Sequence, residues 1–365
     1  MSPIIKNINI TRKKVLIAPL DWGLGHTTRC IPIIQTLILE GFTVLLAAQG
    51  NGAYLLSKEF PSLSILPLKG YDISYTNRKA FFRVKLFSQI PKILNAIKRE
   101  HIWLKKIIKE YEIDIVISDN RYGLYNAKIK SIFITHQLAI ETGNFFTNWL
   151  VKKLNYKRIN KFDECWIPDE ELPFDLAGKL SHPKEMPFVA IKYIGILSRF
   201  KKITVDKNID LLVLISGPEP QRTALEKMML LQMIKLTFKM VLVRGLPGAG
   251  NKLINENKAL QIFDHLPAKE LNTLIQSSKI VVARSGYSTI MDLIALQQKA
   301  ILIPTPGQTE QEYLAKYLAS KKYFVASNQR VFNLDKEIKN LENTELVRIP
   351  LLENKMLETA INNLK

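Results

Sequence analysis

At 365 residues the chain exceeds what one typical hydrophobic core organises, so two domains are expected. Its 47% apolar and 23% charged residues exclude a disordered or fibrous class and describe an ordinary globular protein. The 52 Lys and Arg against 33 Asp and Glu, a formal charge of +19, favour a polyanionic partner: nucleic acid, an anionic lipid surface or a phosphorylated substrate.

Cys30 and Cys165 lie far apart, with no C-x-x-C spacing and no histidine cluster, which argues against a disulfide framework or a structural zinc and fits a reduced cytosolic compartment. The N-terminal MSPIIKNINITRKK has no apolar region with a small-residue cleavage site, so a signal peptide is not expected. No apolar run approaches the roughly 18 to 20 residues that a spanning helix needs. The expected location is the cytoplasm, with peripheral attachment to the inner face of the plasma membrane as the variant that the basic charge allows.

In chain order, Lys14 to Leu20 reads as a buried strand, followed by the loop Asp21-Trp22-Gly23-Leu24-Gly25-His26. From Thr27 the positions Ile31, Ile34, Leu37 and Ile38 fall on one helical face until Gly41 ends it, and Phe42 to Ala48 gives the next strand. This βαβ unit has the length of a dinucleotide-binding one. The third glycine of G-x-G-x-x-G would nevertheless fall on Thr28, and the second strand ends in Ala47-Ala48-Gln49-Gly50 with no acid to hold a ribose. Nicotinamide cofactors are therefore disfavoured, and the loop reads as a site for another phosphate or sugar.

Residues 78 to 161 concentrate the basic excess, with 18 Lys and Arg against 6 Asp and Glu. Arg78 to Phe87 interleaves cations with aromatics, and Lys92 to Lys109 adds Trp103 among lysines, a membrane-interface pattern. A solvated helix face over a core stands equally beside that reading, since Pro91 breaks the run and lysines snorkel on many soluble helices. Nucleic acid is disfavoured because no helix-turn-helix, RNP-like or zinc module accompanies the charge. Ile113 to Ile117 and Ile132 to Thr135 are further strands, ending at Asp119 and at His136-Gln137. Polar groups at strand ends are where α/β domains collect site residues, although capping the following turn is the commoner task for Asp119. Glu164 to Pro168 and Lys192 to Ile194 look like the closing strands of this series.

A second series begins at Ile209 after a short basic stretch: a strand to Ile215, the loop Ser216-Gly217-Pro218-Glu219-Pro220, a helix from about Gln221, and strands at Met240 to Arg244 and Leu260 to Phe263. It runs into Lys279 to Tyr313, which reads strand, loop, helix, strand, loop, helix. Both loops of that segment carry side chains suited to a sugar nucleotide, at the sheet edge where helix N-termini point their free N–H groups. Arg284, Ser285, Gly286, Thr289 and Asp292 belong to the first, and Gln308, Gln311 and Glu312 to the second. The expected fold is α/β, with two facing Rossmann-like doubly wound domains and an interdomain cleft. Residues 1–198 form the first domain, 199–208 the linker and 209–353 the second, with a last helix at 354–365 able to pack back on the first.

These residues carry a resemblance. R-S-G-x-x-T-x-x-D and P-x-P-x-x-x-E-Q-E-Y, within Val281 to Tyr313, resemble the donor-binding segment of GT-B glycosyltransferases of the MurG type, with the family 28 C-terminal domain. Gly23-Leu24-Gly25-His26 looks like the N-terminal glycine-rich loop of that family, and Gly195-Ile196-Leu197-Ser198-Arg199 looks like its interdomain G-x-x-x-R. The resemblance implies transfer of N-acetylglucosamine from a UDP-sugar to a lipid-linked or cell-surface glycan, with the sugar nucleotide as substrate and no cofactor. It assigns the ribose hydroxyls to Asp292, where the family more often has Glu, and the sugar hydroxyls to Gln311, with Glu312 replacing a second glutamine. Ser285, Gly286 and Thr289 would face the diphosphate, Arg199 would neutralise it, and Leu266 would lie near the uracil. Ser216-Gly217 falls on the family's diphosphate loop but runs into two prolines, so Arg222 or Thr223 is expected to substitute for the lost N–H donors. Asp21-Trp22 replaces family glycines and implies an acceptor other than the peptidoglycan precursor.

The reaction so implied is inverting transfer, with Gly23, Gly25 and His26 toward the acceptor. His26 is the first candidate for the base, and Asp21, Asp119 and His136 are the others. No D-x-D occurs in the sequence, so the leaving diphosphate is expected to be held by helix N-termini and Arg199 rather than a metal. Within the same fold, a UDP-sugar hydrolase or epimerase is the alternative; outside it, a non-enzymatic polyanion-binding protein. Whether the product is lipopolysaccharide, capsule or another glycolipid stays open at this level.

Overall fold

The computed structural model describes residues 12–71, 89–140, 145–246, 259–350 and 355–365. Residues 1–11, Arg78 to Phe87 and residues 247–250 lie outside them. The fold has two all-parallel sheets. Strands β1 (Lys14–Pro19), β2 (Thr43–Ala48), β3 (Ile65–Pro67), β4 (Ile115–Asp119), β5 (Lys130–Ile134), β6 (Glu164–Ile167) and β7 (Ala190–Tyr193) make the first, in the order β3-β2-β1-β4-β5-β6-β7. β8 (Ile209–Leu214), β9 (Met240–Val243), β10 (Leu260–Phe263), β11 (Ser278–Ala283), β12 (Ala300–Leu302) and β13 (Val325–Ala326) make the second, in the order β10-β9-β8-β11-β12-β13. Helices cover both faces, as a parallel sheet requires. Accordingly β1 reads as a continuous apolar run, with Val15, Leu16, Ile17 and Ala18 all fully buried.

Helix α1 (Leu24–Leu39) starts three residues earlier than the apolar periodicity predicts. Gly23 at its N-cap takes φ +80, a backbone turn that glycine makes without strain, and Gly25 and His26 thereby fall in the first helical turn rather than in a loop. Pro91 also acts differently from expectation. It occupies the first turn of α2 (Gly50–Glu59)'s successor α3 (Ile90–Tyr111), where its missing N–H costs nothing, and so begins the basic helix instead of breaking it. The inner face of α3 buries Ala96, Ile97, Glu100, Leu104 and Ile107 against the first sheet, while Lys98, Lys105, Lys106 and Lys109 face solvent.

Register sets the positions that matter. Pro19 pairs with Asp119 across β1 and β4, and Asp119 with Ile134 across β4 and β5, so the turn into α1, Asp119 and His136 gather at one sheet edge. In the second sheet Ala283 pairs with Leu214 and with Leu302, which levels the loops that follow β8, β11 and β12. The helices after β11 and β12 are α7 (Tyr287–Ala295) and α8 (Thr309–Ser320); α5 (Gln221–Met233) follows β8 and α6 (Ala268–Gln276) follows β10, while α4 (Phe145–Ile159) joins β5 to β6. After α9 (Leu334–Glu342), the last helix, α10 (Lys355–Asn362), buries Leu357, Ala360 and Ile361 in the apolar cluster that includes α1, and Lys13 Nζ donates to the Leu364 carbonyl at 2.9 Å. That single cluster contains residues of both sheets, Val15 and Ile117 from the first and Val281 and Leu302 from the second.

Candidate functional site

At the edge of the first sheet, a buried carboxylate organises two cations or proton carriers. Asp119 is fully buried and accepts from Arg29 Nε at 2.6 Å and from Arg29 Nη2, while His26 Nδ1 lies 3.0 Å from its Oδ1. Burial alone would raise Asp119, but Arg29 and His26 outweigh it and hold the carboxyl well below the usual carboxylate range. His26 Nδ1 stands between Asp119 Oδ1, which accepts, at 3.0 Å and Arg29 Nη2, which donates, at 2.8 Å, so either ring tautomer finds a partner there; the tautomer that donates to Asp119 leaves the Nε2 lone pair available, and Nε2 makes no hydrogen bond among the described residues. A histidine oriented from behind by a carboxylate, with its outer nitrogen free, is the geometry of a general base.

His136 is arranged otherwise. Its Nδ1 lies 3.1 Å from Arg29 Nη1 and its Nε2 lies 2.7 Å from Glu310 Oε1. Arginine cannot accept, so Nδ1 must, and Nε2 carries the proton that it donates to Glu310. Burial lowers the His136 pKa, and Arg29 and His26 add to that against the pull of Glu310, which keeps the ring neutral. With both nitrogens engaged, His136 has no lone pair for an acceptor. Asp21 is also held elsewhere: its partners are the Gln49 amide at 3.3 Å, the Tyr71 N–H at 3.3 Å and Arg121 at 3.9 Å, not the Asp119 cluster.

Across the cleft, the N-terminus of α7 begins at Gly286 with no side-chain cap, and its first turn carries Ser288 and Thr289. Asp292, one turn further, accepts from Ser198 Oγ at 2.6 Å, and burial raises it to about 6 although Ser198 and Arg199 pull the other way. The Arg199 guanidinium rests over the Phe200 ring at 4.9 Å, and its buried Nε has no partner among the described residues. Arg199 also helps burial to lower His265. Ser216 and Gly217 are exposed after β8, Gly217 with φ +109, and the buried Thr305 hydroxyl beside Gly217 is likewise unpartnered among the described residues. Leu266 is buried in the core cluster at the loop after β10.

Several predicted donor residues are engaged within the protein. Arg284 is buried and donates to the carbonyls of Ile303, Pro304 and Gln221 and to the Gln329 amide, bracing the loop after β12 from beneath rather than offering a free charge. Ser285 Oγ donates to the Gln311 carbonyl at 2.9 Å. Gln311 accepts from the Thr305 N–H at 2.9 Å and donates to Gln308 at 2.6 Å, and Glu312 accepts from the Gly307 N–H at 2.9 Å, so these side chains shape the second loop. Arg222 is paired with Glu219 at 2.6 Å and Glu226 at 2.5 Å, which neutralises the cation expected to replace the proline-blocked donors.

The two edges meet directly. Ser288 Oγ donates to the Gly25 carbonyl at 2.9 Å, Tyr287 OH to the Pro168 carbonyl at 2.7 Å, and the His136 ring stacks on Tyr287 with centroids 4.0 Å apart and planes 2° from parallel. His26, Asp119, Gly25 and His136 therefore share one cleft wall, facing the α7 and α8 N-termini. Residues 249–363 match the sequence model of the glycosyltransferase family 28 C-terminal domain. The chain is 26% identical over 335 residues to an uncharacterized glycosyltransferase of Methanosarcina mazei, covering 85% of this chain and 84% of that one. The chain is a GT-B glycosyltransferase with a family 28 C-terminal domain.

Its relatives include the UDP-N-acetylglucosamine–N-acetylmuramyl-(pentapeptide) pyrophosphoryl-undecaprenol N-acetylglucosamine transferase of Clostridium tetani, 24% identical over 91% of this chain and 94% of that one. Among solved structures, Acinetobacter baumannii MurG superposes with a TM-score of 0.54 at 15% identity, covering 96% of this chain and 95% of that one. The spinosyn rhamnosyltransferase SpnG, complexed with thymidine diphosphate, reaches 0.61 at 11% identity, covering 96% and 95%. At such identities the structures establish the GT-B fold. Two polar residues of the glycosyltransferase's cleft escape the sequence reading: Arg29, which looks like an ordinary helix cation, and Glu310, one of three acids or amides in a row.

Proposed function

We propose that the enzyme moves an N-acetylhexosamine, N-acetylglucosamine in the first instance, from a UDP-sugar to a hydroxyl of a lipid-linked or cell-surface glycan, with inversion at the anomeric carbon. The observation that carries this reading is the His26–Asp119 pair, its free Nε2 on the cleft wall opposite the α7 and α8 N-termini. Nε2 would take the acceptor proton as oxygen attacks the anomeric carbon, and Asp119 would stabilise the imidazolium formed. UDP leaves from the other side of the sugar. Its charge would be met by the free N–H groups of α7, by the Ser216-Gly217 turn and by Arg199, whose unpartnered Nε lies ready for an oxygen. Asp292 would hold the ribose, and the Gln308, Gln311 and Glu312 group would read the hexose. The UDP-N-acetylglucosamine transferase of Clostridium tetani supports that donor by similarity over nearly the whole chain.

An exposed face of α4 favours a lipid-linked acceptor. Trp149, Leu150 and Leu154 are about half exposed there, with Lys153 over the Trp149 ring at 5.2 Å and Lys157 one turn on. Apolar side chains interleaved with cations suit an anionic bilayer surface. The base assignment is tested by His26→Gln, which leaves the buried Arg29–Asp119 pair in place. Transfer should fall at least about 100-fold while calorimetric affinity for UDP stays unchanged. Retention of transfer near the wild-type rate would remove His26 from the reaction, and dTDP binding more tightly than UDP would overturn the donor.

A further inference from the structure

We propose that Glu310 is a positioning residue, which through His136 and Arg29 transmits the state of the donor loop to the Asp119–His26 pair; the proposal rests on that pair being the base and on the loop before α8 lying at the donor. The path is continuous and short. Glu310 Oε1 lies 2.7 Å from His136 Nε2, His136 Nδ1 lies 3.1 Å from Arg29 Nη1, Arg29 Nε lies 2.6 Å from Asp119 Oδ2, and Asp119 Oδ1 lies 3.0 Å from His26 Nδ1. The chain of bonds begins on the second domain and ends at a ring nitrogen of the first.

Two features make this a transmission line rather than a lone ion pair. First, the His136 ring is fixed from the second domain twice, by Glu310 on α8 and by the parallel stack on Tyr287 at the start of α7. Arg29 is buried, so a turned His136 would leave Nη1 without its acceptor, and the guanidinium that orients Asp119 would have to rearrange. Second, Glu310 adjoins Gln311, whose amide ties Thr305 and Gln308 together in the loop expected to meet sugar and diphosphate. A donor that re-seats Gln308 and Gln311 moves Glu310 on the same helical turn. The arrangement would give the base its working orientation only when the loop is correctly seated.

The full chain has five histidines, which makes histidine-selective nitrogen-15 NMR a direct readout. Wild-type His136 should show the neutral Nε2–H form. Glu310→Gln should shift the ring nitrogens of His136 and also those of His26, to which Glu310 makes no hydrogen bond, with the thermal midpoint unchanged because the Glu310 side chain is about one-third exposed. With UDP-N-acetylglucosamine as donor, Glu310→Gln should lower turnover about tenfold with donor KM within about twofold. Adding Glu310→Gln to His136→Gln should lower turnover no further. Unmoved His26 resonances, additive losses, or a raised donor KM at unchanged kcat would overturn the proposal, the last by making Glu310 a sugar contact. If the wild type turned over no UDP-sugar, the functional reading would fail on its own, and the His26 resonances would still decide the coupling.

Discussion

Asp292, proposed to hold the ribose, burdens the fold that carries it. Its carboxyl sits at about 6 because burial outweighs the Ser198 hydroxyl and Arg199, against an ordinary value of 3.8. A carboxyl raised on folding contributes stability below its unfolded pKa, and that contribution is lost as pH rises through the folded one. At pH 7 Asp292 is therefore a net cost, at most roughly 3 kcal/mol for two pKa units and less where solvent reaches it. Asp292→Asn keeps an acceptor for Ser198, so it should raise the urea midpoint at pH 7 by about 1 to 2 kcal/mol of stability and do progressively less toward pH 4. The same substitution should weaken UDP binding by about 2 kcal/mol, measured by calorimetry, because ribose hydroxyls lose a charged acceptor. Wild-type UDP affinity should fall as pH drops below about 6. Equal UDP affinity in the variant would remove Asp292 from the donor site. Asp119 has the opposite sign: its pKa is depressed, so its contribution is present above the ordinary carboxylate range and lost only in strong acid.

At the scale of elements, the first turn of α1 meets the first turn of α7 so closely that side-chain size matters. A methyl group on Gly25 would lie 2.9 Å from Ser288 Oγ, the atom that now donates to the Gly25 carbonyl. Gly25→Ala should cost about 1 kcal/mol in denaturant unfolding, and Ser288→Gly in the same chain should recover much of it. Additive losses would mean that the two turns do not touch in solution. This contact was legible in the sequence only in part. Gly23, Gly25 and His26 stand out as a glycine-containing turn after an apolar strand, and R-S-G and E-Q-E-Y mark the opposite loops by composition. Arg29 does not, because its burial is caused by Asp119, ninety residues away, and neither spacing nor periodicity carries that information. Glu310 fails for a different reason: in T-E-Q-E every second residue is acidic, and only the phase of α8 against the cleft selects the one that reaches His136. Pro91 misled because proline interrupts a helix interior but opens a helix at its first turn.

For the whole molecule, an apolar cluster shared by both sheets and polar bonds from Gly25, Pro168, His136 and Ser198 hold the cleft walls together. The formal net charge of +19 and the Trp149 face of α4 predict flotation with vesicles of anionic lipid at low salt. Release should follow at high salt, where exposed charges are screened, and Trp149→Ala should weaken association. Flotation equal on neutral and anionic vesicles would contradict the electrostatic part. Transfer to a lipid-linked acceptor is measured most directly by following label from UDP-[14C]N-acetylglucosamine in the presence of a membrane lipid extract, with products partitioned between water and butanol. Wild-type protein should carry label into the butanol phase, and His26→Gln should not. Release of free N-acetylglucosamine into water at the same rate with and without the extract would contradict such transfer, because water rather than a glycolipid hydroxyl would then be the acceptor.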